Sequence, residues 1–124
     1  AAAYWGSCNP SKMTPDVRAG YLKPYDSPAN RVANLRFVQD IPLTKFHPTH
    51  RYAMDVDARL DLLADIPMQI CWGDRDFCFT PMFLEEWERR FPHASVRRFA
   101  NAGHYVVEDA IDDILPIARD FFQD

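Results

Sequence analysis

Residues 67–76 read PMQICWGDRD, and this stretch decides the fold. Its first six residues are mostly apolar and stop at a glycine, which is typical of a buried parallel strand that ends in a tight turn. A second and less apolar strand is predicted over Ser95–Phe99. Helices are predicted over Pro81–Phe91 and Glu108–Phe122, and Pro116 predicts a kink in the latter. This alternation predicts an α/β fold with two parallel strands.

The chain before this region has a different texture. Six prolines interrupt residues 1–64, so only short helices fit there. The pair Thr14-Pro15 is typical of a helix start, and that helix should end before Pro24. Residues 27–38 form a second predicted helix, and a short amphipathic piece is predicted over residues 57–64.

The composition indicates a folded chain with a helical segment over residues 1–64 and an α/β segment over residues 65–124. Hydrophobic residues make up 48% of the sequence and aromatic residues 14%, enough for an apolar core or a large pocket wall. The net charge is −4 and no basic stripe is present, which argues against a nucleic-acid partner. No apolar run approaches the roughly 20 residues that cross a bilayer, so we expect no membrane partner.

The three cysteines, Cys8, Cys71 and Cys78, are spaced neither as a zinc site nor as a Cys-x-x-Cys pair. Free thiols in a reducing compartment are the simpler interpretation. The chain shows no basic segment followed by an apolar one, so no signal peptide is predicted. We therefore expect a cytoplasmic protein without a bound metal. The start, Ala1-Ala2-Ala3-Tyr4, has no initiator methionine and fits an internal or processed fragment.

Chemistry is indicated by Asp76 and His104, which follow the two predicted strands by a few residues. Catalytic groups of open α/β sheets gather beyond the carboxyl ends of the strands, and neighbouring strands lie about 4.8 Å apart. The two side chains are therefore expected to meet, so that the carboxylate orients an imidazole acting as general base. Alternatively, Asp76 only caps the next helix and His104 is an ordinary loop residue. Asp74 is a rival acid, for which stabilising the turn at Gly73 is the simpler role.

Aromatic residues crowd the sequence around the proposed pair. Phe77, Phe79 and Tyr105 lie in the loops beside it and are candidates for lining an apolar pocket. Phe83 and Trp87 are expected in the core, since they recur at helical spacing.

The remaining polar candidates have simpler roles. Glu108 and Asp109 supply negative charge to the start of the last helix, where the helix dipole favours anions. His47, His50 and His93 have no nearby cluster of carboxylates or cysteines. We expect these three histidines in surface loops rather than at a metal site.

The nucleophile that such a pair would serve is missing from the recognisable motifs. A G-x-S-x-G elbow needs two glycines around a serine, and the glycines of this chain are Gly6, Gly20, Gly73 and Gly103. No dinucleotide or phosphate loop is present either. We expect the nucleophile to be supplied by residues outside this chain.

The two turns resemble the C-terminal part of an α/β-hydrolase. Residues 67–76 look like its seventh strand and acid turn, and residues 99–109, FANAGHYVVED, look like its eighth strand and histidine loop. Residues 83–94 are similar to haloalkane-dehalogenase-like members. Residues 24–31, PYDSPANR, and 36–43, RFVQDIPL, look like their helical cap, and they are especially similar to the β-lactone decarboxylases of bacterial olefin biosynthesis.

The resemblance spans roughly residues 16–121 and implies a cofactor-free enzyme. It implies an Asp/Ser-His-Asp triad in which Asp76 orients His104, and in which His104 activates water against an ester formed on the nucleophile. Some dehalogenase-like enzymes place the acid after strand six, which leaves the role of Asp76 open. In this family the nucleophile, the oxyanion-hole donors and strands one to six precede the cap. The resemblance thus implies that this chain is the cap and C-terminal third of such an enzyme.

Two functions of different classes follow. In the first, the chain is the C-terminal fragment of a hydrolase for a small apolar substrate (a haloalkane, an epoxide, a β-lactone or an ester), inactive without an N-terminal half. The parent in this class could equally be a serine hydrolase or a carbon–carbon bond hydrolase, whose acid and histidine turns are similar. In the second, the chain is a non-catalytic α/β-hydrolase-like interaction module. Its strand Met68–Trp72 would then expose an edge that favours self-association or pairing with the absent half.

Overall fold

The computed structural model describes residues 5–123. These form two compact units, one made by the chain up to Tyr21 together with the chain from Pro67, the other by Leu22–Ile66. In chain order the elements are the helices α1 (Pro15–Leu22), α2 (Val32–Gln39), α3 (His50–Asp57), α4 (Pro81–Arg90) and α5 (Val106–Phe121), the strands β1 (Gln69–Gly73) and β2 (Ser95–Phe99), and short 3₁₀ segments at Lys23–Tyr25, Ala29–Arg31 and Leu60–Leu63. None of the helices within residues 5–123 combines the length and the apolar character that spanning a bilayer requires.

The first unit contains the parallel two-stranded sheet that the sequence predicts. Its register runs from Gln69 opposite Ser95 to Gly73 opposite Phe99. α4 connects the strands, and α5 follows β2 and packs against β1. β2 has the predicted bounds, whereas β1 begins two residues later than expected, beyond Pro67, which has no N–H to donate to a strand ladder. The α/β fold class is confirmed.

The first unit also includes the start of the described chain. α1 begins as the sequence predicts, because Thr14 Oγ1 accepts a hydrogen bond from the Val17 N–H at 3.3 Å. It ends before Pro24, as expected. The predicted division into segments 1–64 and 65–124 stays a prediction, and in the structure the chain up to Tyr21 groups with the chain from Pro67. No sequence pattern indicates that α1 belongs with the sheet.

The core of the first unit is centred on α4 and the loops around the sheet. Leu84 is 0% exposed, and Phe91 and Ala102 are each 2% exposed. Phe83 is predicted in this core, but it is 44% exposed because Leu84 and Phe91 occupy the buried face of the helix. Trp87 is half-buried and stacks on Phe91 with ring centroids 5.4 Å apart. The prediction is therefore wrong for Phe83.

α5 departs from the expected form near its start. It begins at Val106, two residues before the predicted position, and Pro116 lies inside it. The residue with non-helical angles is Ala110, with φ −128° and ψ 28°. The expected kink at Pro116 is therefore wrong, and the distortion lies directly after Asp109. A proline removes one hydrogen bond of the helix, and this loss leaves the angles at Pro116 helical. The side chain of Asp109 binds the amides of Cys8 and Gly103, outside the helix, and the distorted residue comes directly after it.

The second unit, Leu22–Ile66, holds two corrections. His50 begins α3, so the expectation of a loop there is wrong; the proline in this stretch precedes the helix rather than interrupting it. The amphipathic piece predicted over residues 57–64 is the end of α3 and a 3₁₀ segment.

His47 binds back to the end of α2, because its Nε2 lies 2.9 Å from the Gln39 carbonyl oxygen. This histidine therefore organises the loop between the two helices.

Candidate active site

The loops that follow β1 and β2 are tied to each other at the carboxyl ends of the strands. The Asp74 N–H donates to the Phe99 carbonyl at 3.1 Å, and the Arg75 N–H donates to the Ala102 carbonyl at 3.0 Å. Gly73 permits this approach, since a Cβ at its position would lie 2.7 Å from the Ala102 oxygen. The side chains of both loops are thus presented at the sheet edge where catalytic groups gather.

Asp76 and His104 meet across these loops. The Nδ1 of His104 lies 3.0 Å from both Oδ1 and Oδ2 of Asp76. The two side chains are 27% exposed for His104 and 11% exposed for Asp76. Because a carboxylate only accepts, Nδ1 carries the proton in this contact. The predicted contact is confirmed, while the catalytic roles of the two residues stay predictions.

The carboxylate of Asp76 also organises its own loop. Its Oδ1 accepts the N–H of Cys78 at 2.7 Å and the N–H of Phe79 at 2.9 Å. Burial would raise the pKa of Asp76, but the hydrogen bonds from the two amides and from His104 outweigh it and hold the pKa below its ordinary value. Asp76 is therefore charged near neutral pH. Its carboxylate binds amides of its own loop and not of α4, whose N-cap is Thr80, so the alternative in which Asp76 caps that helix is wrong.

The three aromatic residues singled out in the sequence surround the imidazole. The ring centroids of Phe77, Phe79 and Tyr105 lie 5.4, 5.7 and 5.8 Å from that of His104. Phe77 is 64% exposed and Phe79 is 47% exposed. The T-shaped contact of Phe79 with Phe83, at 5.5 Å, extends this apolar surface. Exposed rings beside a polar pair suit an apolar ligand, and their role as pocket walls stays a prediction.

Asp74, the rival acid, is directed elsewhere. Its Oδ1 accepts a hydrogen bond from Arg98 Nε at 2.9 Å, in an ion pair with a residue of β2. This pair links the turn after β1 to the neighbouring strand. The geometry therefore favours Asp76 over Asp74 as the partner of the histidine.

Asp109 has a role that the sequence did not reveal. Instead of only facing the helix dipole, its carboxylate accepts hydrogen bonds from Ser7 Oγ, from the N–H groups of Cys8 at 2.8 Å and Asn9 at 3.0 Å, and from the N–H of Gly103 at 2.7 Å. Burial would raise the pKa of Asp109, but these hydrogen bonds outweigh it and hold the pKa below its ordinary value. No local pattern could indicate a contact with residues about a hundred positions away.

Acid should destabilise the first unit through Asp76 and Asp109. Both pKa values are lower in the folded chain than the ordinary 3.8, so the unfolded chain binds more protons in this range. Their contribution to the free energy of unfolding is therefore complete above the unfolded-state pKa and is lost as the pH falls through the folded-state pKa. Thermal unfolding should show the wild type losing stability more steeply than Asp109→Asn below about pH 5. Equal slopes for the two proteins would contradict this.

The thiols lie apart from any cluster of metal-ligating side chains. Within the described residues, no three side chains of His, Cys, Asp or Glu are grouped as metal ligands. Cys8, Cys71 and Cys78 are free cysteines. Burial raises the pKa of the Cys71 thiol, so this residue of β1 packs as a neutral group.

Curated relatives match most of this chain. The cis-3-alkyl-4-alkyloxetan-2-one decarboxylase of Shewanella oneidensis is 42% identical over 109 residues, which are 88% of the chain and 34% of that protein. The protein of the same name from Xanthomonas campestris pv. campestris is 38% identical over 112 residues, 90% of the chain and 37% of that protein. This chain is a homologue of these β-lactone decarboxylases. It spans about a third of their length. No protein-family model matches the chain.

The similarity to the β-lactone decarboxylases covers both turns of the candidate site. A match over 109 of the 124 residues leaves 15 residues outside, so it necessarily includes the stretch from Asp76 to His104. An oxetan-2-one is a four-membered lactone, which agrees with the resemblance found in the sequence. The α/β architecture of the first unit is compatible with the C-terminal part of an α/β-hydrolase.

Proposed function

We propose that this chain supplies the acid and the histidine of a catalytic triad in a β-lactone decarboxylase of the α/β-hydrolase type. The observation that carries the proposal is the contact of His104 Nδ1 with both oxygens of Asp76, 3.0 Å each, at the carboxyl edge of a parallel sheet. Homology to enzymes named for decarboxylating an oxetan-2-one supports the substrate class.

In this proposal Asp76 fixes the imidazole so that Nε2 faces the reacting atoms. The negative carboxylate also stabilises the imidazolium that forms when Nε2 takes a proton. Phe77, Phe79 and Tyr105 contact the alkyl groups of the substrate, since apolar side chains gain free energy by shielding such groups from water. The nucleophile and the oxyanion donors come from residues outside these 124, and the unit Leu22–Ile66 corresponds to the helical cap.

The substrate decides what the histidine must do. Breaking the bond between the ring oxygen and C4, and the bond between the carbonyl carbon C2 and C3, converts an oxetan-2-one into CO₂ and an alkene, which together account for every atom of the lactone. No water is consumed. The nucleophile that opens the ring at C4 leaves again as CO₂ and the alkene separate, and the Asp76–His104 pair, in its imidazolium form, stabilises the carboxylate that ring opening sets free. With an ester, an epoxide or a haloalkane, Nε2 instead accepts a proton from the attacking water. Alkene release distinguishes the first chemistry from the second.

The isolated chain is expected to show no turnover of an oxetan-2-one, an ester, an epoxide or a haloalkane. An imidazole and a carboxylate without a nucleophile cannot form the covalent intermediate. A chimera in which this chain replaces the matching third of the Shewanella oneidensis relative should release alkene and CO₂ from a cis-3,4-dialkyl oxetan-2-one. Turnover by the isolated chain that His104→Ala abolishes, or a folded chimera that is inert with the lactone, would contradict the proposal.

A second candidate, the non-catalytic interaction module, is favoured by one observation. Within residues 5–123, β1 pairs only with β2, so its other edge presents backbone donors and acceptors to any strand that approaches. In this alternative the partner is the absent half or a second copy. Sedimentation of the isolated chain decides: concentration-dependent dimers support it, and a monomer at high concentration counts against self-association.

A further inference from the structure

The backbone is held by hydrogen bonds on both sides of His104. Before it, the Gly103 N–H donates to Asp109 Oδ2 at 2.7 Å. After it, the Tyr105 N–H donates to the carbonyl oxygen of Gly6 at 2.7 Å. The backbone position of His104 therefore depends on these two hydrogen bonds, which are separate from the contact of its ring with Asp76.

Both of these backbone hydrogen bonds depend on Asp109. The carboxylate of Asp109 binds the segment that follows Gly6, through the hydroxyl of Ser7 and the N–H groups of Cys8 and Asn9. Ser7 reinforces this segment, because its hydroxyl accepts the Asn9 N–H at 3.0 Å. One carboxylate thus fixes Gly103 directly and fixes the carbonyl that binds Tyr105 through residues 6–9.

The two segments are packed too closely to slide past each other. Ala102 and Gly103 are buried, and so is Gly6. A Cβ placed on Gly103 would lie 2.9 Å from the Gly6 oxygen and 2.9 Å from Cys8 Sγ. Contacts this close leave the histidine loop few alternative positions as long as the hydrogen bonds hold.

A carboxylate suits this position better than an amide. The four groups that bind the Asp109 side chain are all donors, and an ionised carboxylate accepts at both oxygens. Asparagine has the same shape but would direct an NH₂ group at some of these donors. Hydrogen bonds to an ionised acceptor are also stronger than those to a neutral one.

We infer that Asp109 is a positioning residue for His104. It holds the backbone on both sides of the imidazole, so that Nδ1 stays in line with the carboxylate of Asp76. The inference rests on the proposed function, because it gives a residue outside the triad control over the geometry of the acid–histidine pair.

The test measures the tautomer of the His104 ring in the 124-residue chain by long-range proton–nitrogen NMR, with the ring assigned through His104→Ala. In the wild type the Nδ1–H form should predominate, since that nitrogen donates to Asp76. Asp109→Asn should lower the ratio of the Nδ1–H to the Nε2–H form by roughly fivefold, because a looser backbone weakens that hydrogen bond. Asp120→Asn removes the same charge from the far end of α5 and should leave the ratio unchanged.

A folded Asp109→Asn chain with the wild-type ratio overturns the inference. If that variant does not fold, Ser7→Ala decides, since it removes one donor and keeps the carboxylate; a fall of about twofold supports the inference and an unchanged ratio overturns it. The same variants in the chimera separate the inference from the proposed function. A tautomer shift in a chimera whose alkene release does not depend on His104 retains the inference and rejects the proposed function.

Discussion

Replacing His104 by alanine in the active chimera is expected to lower kcat for the oxetan-2-one by about a thousandfold or more. In the proposed mechanism this side chain, as an imidazolium, stabilises the carboxylate that ring opening sets free. Its loss also leaves the half-buried carboxylate of Asp76 without the ring that it contacts. The rate of alkene release under saturating substrate measures the effect.

The matched control for this variant is His93→Gln. His93 lies before β2, at the opposite end of the strand from His104, and its ring packs edge-on against Phe91 with centroids 6.1 Å apart. The control should keep kcat within about twofold of the parent chimera, as is usual for a substitution away from the site. A His104→Ala chimera that is folded and keeps more than about a tenth of the parent activity would show that the histidine is not part of the chemistry.

Asp76→Asn is expected to lower kcat by roughly 10²–10⁴-fold with little loss of folded protein. The amide retains one oxygen for the loop amides of Cys78 and Phe79, but it lacks the charge that stabilises an imidazolium. It also offers an NH₂ group to Nδ1, which favours the neutral tautomer with the proton on Nε2 over the imidazolium that the proposed ring opening uses. A wrong protonation form of a triad histidine is sufficient for a loss of this size even when the geometry stays intact.

Asp74→Asn is the control for that substitution. Asp74 lies two residues away and pairs with Arg98 rather than with the histidine, so its loss removes an exposed ion pair and little else. We expect near-parental kcat for this variant. If Asp74→Asn and Asp76→Asn lower kcat equally, the acid of the triad is not Asp76, and an acid after an earlier strand becomes the better assignment.

The strands and the pair at their ends could be predicted because their signals are local. The apolar run before Gly73 predicts a strand, and the spacing of apolar residues along α4 predicts a helix, because each pattern lies within the segment that it describes. Asp76 and His104 follow from the rule that strand ends share one edge. The exposure of Phe83 could not be predicted in this way, because the helical repeat does not say which neighbouring position faces inward.

The support of the histidine loop could not be predicted for a different reason. Asp109 resembles any acidic residue in the first turn of a helix, and the donors that it binds lie at residues 7–9. Nothing in their local sequence marks them as partners of that helix. The start of α3 at His50 was equally hard to predict, because a stretch with proline and threonine has the composition of a loop.

The contact of residues 6–9 with the loop that carries His104 limits where the chain can be shortened or joined to another protein. A shortened version that starts at Thr14 would retain every named helix and both strands, and by secondary structure alone it would pass as complete. It would nevertheless lack the Gly6 carbonyl oxygen that accepts the Tyr105 N–H. It would also lack the three donors at residues 7–9 that bind the Asp109 carboxylate. Fusion junctions and tags should therefore be placed outside residues 6–9, and exchanged segments should keep these residues. This short stretch holds the loop around His104, near the other end of the sequence.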